Sequence, residues 1–391
     1  MKILFVSRWF PFPPNNGSKL RIHNLLRGLA AEHAVTLLSF GDAPLDAPAR
    51  AALPAWARDA TVVPWKPYDA GSRRARLSFL SPVPRSFADT YSPDMQRRIE
   101  EALGAGVDLV IATQLGAAAY GPLFQGVPAI LDEVELAVLH ERYANATSLK
   151  SRMRHGLTWA KHRRYVSWLL RYFRACTVAS EQELRLLRRI APGYAAAEVV
   201  PNGIHLGDYQ GFQAEPKAGS MIFTGSFSFQ ANYEAMVWFA QEVLPILQRL
   251  APQARLTITG DPAGRALPRN PRVTIAGYVD DVRPWIASSW LSLAPLRSGG
   301  GTRLKILEAM ALGTPVVATS KGAEGLDVVD GREALIADAP SAFAGAAARL
   351  LGDPALRASL AARAADLVRR RYDWAVMMRQ YDRLIRQVVD G

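Results

Sequence analysis

Ser298-Gly299-Gly300-Gly301-Thr302-Arg303-Leu304-Lys305-Ile306-Leu307-Glu308-Ala309-Met310-Ala311-Leu312-Gly313-Thr314-Pro315 reads as a glycine loop running straight into a helix. Leu312-Gly313-Thr314-Pro315 stops that helix, with glycine at the C-cap and proline just beyond. Val316-Val317-Ala318-Thr319 then has the apolar run of a short buried strand. Glycine lets the backbone pass close to a ligand. The free N–H groups and dipole of the helix start favour an anion. Arg303 and Lys305 reinforce that field, and Glu308 can accept hydrogen bonds from hydroxyls. A diphosphate bearing sugars fits this combination. By three-and-four spacing, Lys305, Glu308, Ala309 and Leu312 share one face, and Leu304, Leu307 and Ala311 form the buried one. An ordinary amphipathic helix, with Lys305 and Glu308 as a surface pair, has the same pattern.

Outward from this segment, strand-like and helix-like stretches alternate along the chain, the pattern of an α/β fold with parallel sheets. Lys2–Ser7, Val35–Ser39, Ala60–Val63, Asp108–Ala112, Pro128–Leu131 and Cys176–Ala179 read as strands of a first sheet. Met221–Thr224, Arg255–Thr259, Arg272–Ala276, Trp290–Ala294, Val316–Thr319 and Ala334–Ala337 read as a second. Periodicity breaks at Asn202–Gly219, and 391 residues suffice for two domains. From Pro340 the chain reads as helical, interrupted at Tyr372-Asp373-Trp374.

The run from Gly299 to Leu326 resembles the donor-site signature of the family 4 glycosyltransferases. It is most similar to a bacterial exopolysaccharide-type subgroup with a G-G-G-T-R-L-K segment. Pro201-Asn202-Gly203, Thr224-Gly225-Ser226 and Gly277-Tyr278-Val279-Asp280-Asp281 agree in order and spacing. The resemblance implies the GT-B fold: two doubly wound Rossmann-like domains facing a cleft, with a C-terminal helix crossing back to the N-terminal domain. Residues 1–200, with 374–391 returning, are then an acceptor-binding domain, and residues 201–373 bind the nucleotide sugar. The implied reaction moves a sugar from a nucleotide diphosphate sugar to a saccharide or lipid-linked acceptor, with retention, in polysaccharide or glycoconjugate biosynthesis. Arg303 and Lys305 face the phosphates in that reading, Glu308 the ribose, and Gly300, Gly301 and Thr302 the donor. The family usually has two glutamates separated by seven residues, and Gly300 stands in the first place here. A sugar-nucleotide epimerase on the same scaffold is an alternative. A non-catalytic donor-binding scaffold in a polysaccharide assembly complex is another.

Other candidate positions lie at strand ends, where ligands of open parallel sheets bind. In Pro11-Phe12-Pro13-Pro14-Asn15-Asn16-Gly17-Ser18, Gly17 resembles a glycine whose backbone nears donor phosphates; a well-packed proline loop is the plain reading. Asp132, in Asp132-Glu133-Val134-Glu135, either orients or deprotonates an acceptor hydroxyl or caps the following helix. Free backbone at Gly225 and Ser226 suits a phosphate or sugar, and that at Val279 a nucleotide base. Asp280-Asp281 reads as the cap of a short helix through Val282-Arg283-Pro284-Trp285 rather than a metal site. His23 and His140 read as packing residues. With cations set against the diphosphate, neither a metal nor another cofactor is required.

Hydrophobic content of 49% and charged content of 21% are those of a globular protein. No apolar run approaches the roughly 20 residues of a spanning helix, and Ile3-Leu4-Phe5-Val6 is too short for a signal-peptide core. Cys176 reads as a buried strand residue. These features predict a cytoplasmic protein. The formal charge is +12, and nine of the cations lie between Glu141 and Glu181 with no acid among them, so one patch makes the chain basic. In Trp159–Phe173 the residues Trp159, His162, Val166, Leu169 and Phe173 form a stripe, widened by Tyr165, Trp168 and Tyr172. That pattern suits a helix packed on the first sheet with a cationic back. It also suits contact with an anionic membrane through residues 142–174, peripheral at the inner face of the plasma membrane. No nucleic-acid motif, dinucleotide fingerprint, Walker A loop, metal-spaced His/Cys cluster or Gly-x-Ser-x-Gly elbow occurs.

Overall fold

The computed structural model describes residues 1–391 apart from 15, 42–52, 54, 55, 213, 300 and 301. The chain divides into two compact units, Met1–Pro201 with Met378–Gly391, and Asn202–Met377. Each is built on one wholly parallel sheet. In the first unit the strands are β1 (Lys2–Ser7), β2 (Ala34–Gly41), β3 (Asp59–Pro64), β4 (Leu109–Thr113), β5 (Ala129–Asp132), β6 (Ala175–Val178) and β7 (Ala197–Val199). Their order is β3-β2-β1-β4-β5-β6-β7. In β4, β5 and β6 every residue is buried. Such strands are covered on both faces, which is why they appear in the sequence as unbroken apolar runs. Ala197-Glu198-Val199 has no such run, being three half-buried residues. It escaped the sequence reading for that reason.

The second unit contains β8 (Lys217–Thr224), β9 (Arg255–Thr259), β10 (Val273–Gly277), β11 (Ser289–Ala294), β12 (Val316–Ala318) and β13 (Leu335–Ile336), in the order β10-β9-β8-β11-β12-β13. Both sheets thus grow outward from their first strand and then reverse. The reversals fall between β1 and β4 and between β8 and β11, and ligands of doubly wound sheets bind outside such points.

Six helices matter below: α1 (Gly17–Ala30), α2 (Leu149–Leu169), α3 (Glu181–Ile190), α4 (Gln230–Trp238), α5 (Leu304–Ala311) and α6 (Trp374–Asp390). Asn16 caps α1, its side chain accepting from the Lys19 amide at 3.0 Å. Acids in the first turn of α3 and arginines in its last suit the helix dipole. From Met378 onward α6 belongs to the first unit, where Tyr381, Leu384, Ile385 and Val388 are buried. Arg174 donates to the Val388 carbonyl at 2.8 Å, and Gln380 donates to that of Val199 at 2.9 Å.

In the first unit Val166 and Leu169 of α2 pack with Leu131, Cys176 and Val178. The apolar stripe read in Trp159–Phe173 is therefore the helix's packing face. Cys176 is a buried strand residue, and burial pushes its thiol up to about 12. In the second unit Ile306, Leu307, Ala309 and Met310 are buried in one cluster with Ile222, Ala294 and Val316. This corrects the expected faces of α5. Ala309 lies in the core, while Leu304 and Ala311 are only partly buried. Gly313 ends the helix at φ +72°, a left-handed conformation open to glycine.

Candidate functional site

At the carboxyl edge of the second sheet, β8 runs into Gly225-Ser226, β9 into Gly260-Asp261 and β10 into Tyr278. Gly225 has φ +146° and Gly260 φ +109°. A Cβ on Gly260 would stand 2.6 Å from the Gly225 carbonyl carbon and 2.7 Å from the Ser226 nitrogen. Two backbone segments therefore touch here, and only glycine allows the contact. Gly225 donates to the Thr259 carbonyl at 3.0 Å, and Gly260 donates to that of Gly277 at 2.7 Å.

Lys305 stands on the first turn of α5, half-buried. Its Nζ donates to Asn232 Oδ1 at 2.8 Å and lies 4.1 Å from the centroid of the Phe223 ring. Asn232, 8% exposed, donates in turn to the Ser226 carbonyl at 2.9 Å. A Cβ on Gly225 would come within 2.9 Å of the Lys305 nitrogen. The lysine is thus aimed at the Gly225-Ser226 backbone. Burial brings its amine down to about 7; the Arg303 charge adds to this and Glu308 opposes it. An anion arriving beside it would restore the ammonium.

Arg303 is 4% exposed. Its Nη2 donates to the carbonyls of Gly299 at 2.9 Å and Lys321 at 3.0 Å, and lies 3.8 Å from Glu324. The guanidinium therefore bridges Gly299, ahead of α5, and Lys321, beyond β12. Glu308 accepts from the Tyr209 hydroxyl at 3.1 Å. Burial raises its carboxyl, while Tyr209 and Lys305 act against the rise. Ser226 Oγ lies 2.7 Å from Ser228 Oγ and donates to the Asp261 carbonyl at 3.1 Å. Thr302 and Val279 are half-buried, whereas Gly300 and Gly301 lie outside the described residues. Asp281 accepts from the Arg283 amide at 2.9 Å, at the start of the short helix Arg283–Ala287. The N-cap itself is Val282, which has no capping side chain, so Asp281 stands one residue before the cap position, paired with the Arg283 guanidinium.

The first unit has its own carboxyl-edge constellation. Asp132 is fully buried, with Oδ2 2.9 Å from Arg21 Nε and Oδ1 2.6 Å from Arg21 Nη2. Thr177 donates to Oδ1 at 2.7 Å, and Arg21 Nη1 donates to the Val200 carbonyl at 2.9 Å. Burial works against the Arg21 charge, but Asp132 outweighs it and holds the guanidinium above its ordinary range. Asp132 is therefore closed in a buried ion pair and does not cap the following helix, which corrects that expectation. The next helix, Ala137–Ala144, takes its cap from Glu183, which accepts from Leu136 at 2.7 Å and Ala137 at 3.0 Å. Burial lifts the Glu183 carboxyl to about 7.

Beside the ion pair, Gln114 and Glu133 adopt φ +63° and +59°. Left-handed non-glycine residues cost of order 1–3 kcal/mol each and concentrate at functional sites. Gln114 Nε2 donates to Glu133 Oε2 at 3.0 Å and to Ser18 Oγ at 2.9 Å. The start of α1 is thereby tied to the ends of β4 and β5. At Gly17 an added Cβ would meet nothing within 4 Å, leaving its backbone open. His140 packs edge-on to Trp159 with ring centroids 5.3 Å apart, and His23 lies 6.4 Å from the Trp56 ring. Both are packing residues.

The sequence reading missed Asn232, Tyr209 and the buried partner of Asp132. Arg21 offered a signal, because it interrupts an otherwise apolar helical face beside Ile22 and Leu25. Asn232 offered none, since an amide in a helix's first turn usually faces its own backbone. Among the described residues no three His, Cys, Asp or Glu side chains converge on a metal position.

Two family models match the chain. The model described as "Glycosyl transferase 4-like domain" covers residues 16–203, and "Glycosyl transferases group 1" covers residues 218–353. The chain belongs to the glycosyltransferases. Solved structures share the fold over nearly the full length. Alr3699/HepE of Anabaena, in complex with UDP and glucose, aligns at 16% identity and TM-score 0.67 over 99% of this chain and 100% of that one. Sucrose-phosphate synthase from Thermosynechococcus elongatus aligns at 19% identity and TM-score 0.68, over 100% and 99%. TarM aligns at 10% identity and TM-score 0.62, over 98% of each chain. A curated relative, an uncharacterized 44.6 kDa protein in the cps region of Klebsiella pneumoniae, is 26% identical over 137 residues. The chain spans about a third of that relative's length, the match covering 35% of it and 32% of this chain.

Proposed function

We propose that the protein transfers a sugar from a nucleotide diphosphate sugar to a saccharide or lipid-linked acceptor, with retention and without a metal. The observation that carries this reading is the aim of Lys305. A half-buried amine is held by Asn232 against backbone that only glycine can form, at the switch point of a doubly wound sheet. That is a place for a diphosphate. Lys305 meets charge that grows on the departing group, Arg303 shapes the loop and adds to the field, and Glu308 faces the ribose. Gly225, Ser226, Thr302, Gly300 and Gly301 approach the phosphates and sugar, Val279 the base. The capture of UDP and glucose by HepE supports a uridine nucleotide among the donors to try first.

Residues 201–373 are the donor-binding domain in this reading, and residues 1–200 with 374–391 receive the acceptor. Gly17 and the strained Gln114–Glu133 pair stand at the edge where the acceptor hydroxyl would be oriented. The resemblance to a cps-region protein supports a role in exopolysaccharide assembly. No helix among the described residues is long and apolar enough to cross a membrane. In this reading the protein works in the cytoplasm, with the 142–174 segment meeting the inner face of the plasma membrane. A thermal-shift screen of UDP-, GDP- and ADP-sugars tests the donor assignment, since a ligand bound only by the folded state raises Tm. A rise with one nucleotide family is expected. No rise with any of them contradicts the assignment.

A further inference from the structure

A cavity of about 760 Å³ opens in the first unit, lined by Arg163, Arg164 and Arg171, by Arg189 at the end of α3, and by Tyr165 and Trp168. Its place in the fold separates it from the site above. Arg171 precedes β6, and Arg189 precedes β7, so the cavity lies toward the amino edge of the sheet. Asp132, Glu133 and Gln114 stand at the opposite, carboxyl edge. Among the described residues no Asp or Glu lines the cavity. Four guanidiniums gathered without a carboxylate repel one another, and an anion between them removes that cost. Planar guanidinium forks suit phosphate oxygens in particular.

The walls say more about the ligand. Trp168 stacks on Tyr165 with centroids 5.6 Å apart and meets Tyr172 edge-on at 5.2 Å. Trp168 is itself 37% exposed. Pro82 and Val83 close another side. They continue a short apolar knuckle in which Leu77, Phe79 and Leu80 are 78%, 53% and 91% exposed. Lys161 latches that knuckle to α2, its Nζ donating to the Ser78 carbonyl at 3.2 Å and also to that of Phe79. Large side chains held this far out in water by a fixed turn indicate burial against something outside the chain. Cations beside exposed apolar side chains match the phosphates and acyl chains of a bilayer.

We infer that this cavity is a seat for the phosphate of an anionic phospholipid headgroup, with Leu77, Phe79 and Leu80 dipping into the acyl layer beneath it. The inference deepens the membrane contact proposed above for residues 142–174 and rests on it. It replaces diffuse attraction with one built seat, away from the edge where sugar transfer is proposed.

The test is co-sedimentation of the full chain with phosphatidylcholine vesicles, with and without phosphatidic acid. Two doubly neutralised proteins are compared: Arg171→Gln with Arg189→Gln inside the cavity, and Arg152→Gln with Arg154→Gln on the same basic segment outside it. Near-UV circular dichroism confirms that each is folded. A basic side chain near an anionic surface is worth about fivefold in affinity, so the cavity pair should lose about thirtyfold. The outside pair should lose less than about threefold, and Leu80→Ser should weaken binding to phosphatidic acid vesicles without changing charge. Equal losses from the two pairs would overturn the seat and leave the membrane reading standing. No binding of the unaltered protein to either vesicle would overturn both, and leave donor binding untouched. Binding of glycerol 3-phosphate or polyuridylate in the cavity with no vesicle binding would overturn the lipid as occupant.

Discussion

Lys305 and Asp132 show how differently two charged residues at sheet edges can be used. Asp132 lies in a closed ion pair with Arg21 and Thr177. Removing one partner of such a pair strands the other charge, at a cost of about 3–5 kcal/mol. Asp132→Ala should therefore lower the midpoint of urea unfolding strongly; a variant as stable as the parent and merely inactive would point to Asp132 as a base instead. Lys305 is the opposite case. Its amine titrates near 7 in the folded protein, against about 10.4 in an unfolded chain. Between those values the unfolded state holds the extra proton, so this residue's penalty on folding shrinks as pH rises and vanishes above about pH 10. Below about pH 7 both states are protonated and the penalty is largest. Lys305→Met should accordingly gain most over the parent in thermal melts near pH 6 and lose that advantage near pH 10. A pH-independent difference would contradict the depressed amine.

At the scale of elements, the sequence was most legible where strands are buried on both faces. Ile3-Leu4-Phe5-Val6 and Leu109-Val110-Ile111 announce themselves because nothing polar interrupts them. The half-buried β7 does not. Helix α5 was legible in its stop, through Gly313 and Pro315, and in its cations, but the face it buries was misjudged. Ile222, Ala294 and Val316, on β8, β11 and β12, set that face, and local spacing cannot see them. The touching backbones of Gly225 and Gly260 were half legible: the first glycine stood in a motif, and the second had no mark until β8 and β9 were paired. Gly260→Ala combines φ +109° with a Cβ 2.6 Å from Gly225. It should destabilise by roughly 1–3 kcal/mol and displace Ser226, so donor affinity falls as well. Unchanged stability and affinity would show that the two segments can part freely.

At the scale of the whole molecule, two doubly wound units in one chain follow from the alternation of runs and the break near Asn202, and the family matches fall on either side of it. The charge needed by a departing diphosphate can come from Lys305 and Arg303. Activity should then persist in excess EDTA; full loss, restored by magnesium or manganese, would show that a metal supplies that charge instead. The central claim is that Lys305 meets the diphosphate as the sugar bond breaks. Its most direct test is the rate at which the full chain releases nucleoside diphosphate from its sugar nucleotide, compared between the parent and Lys305→Ala. Removing one electrostatic contact of this kind typically costs about 10²–10³ in rate, and that loss is expected without a fall in Tm. Release at the parental rate by Lys305→Ala would place the diphosphate elsewhere.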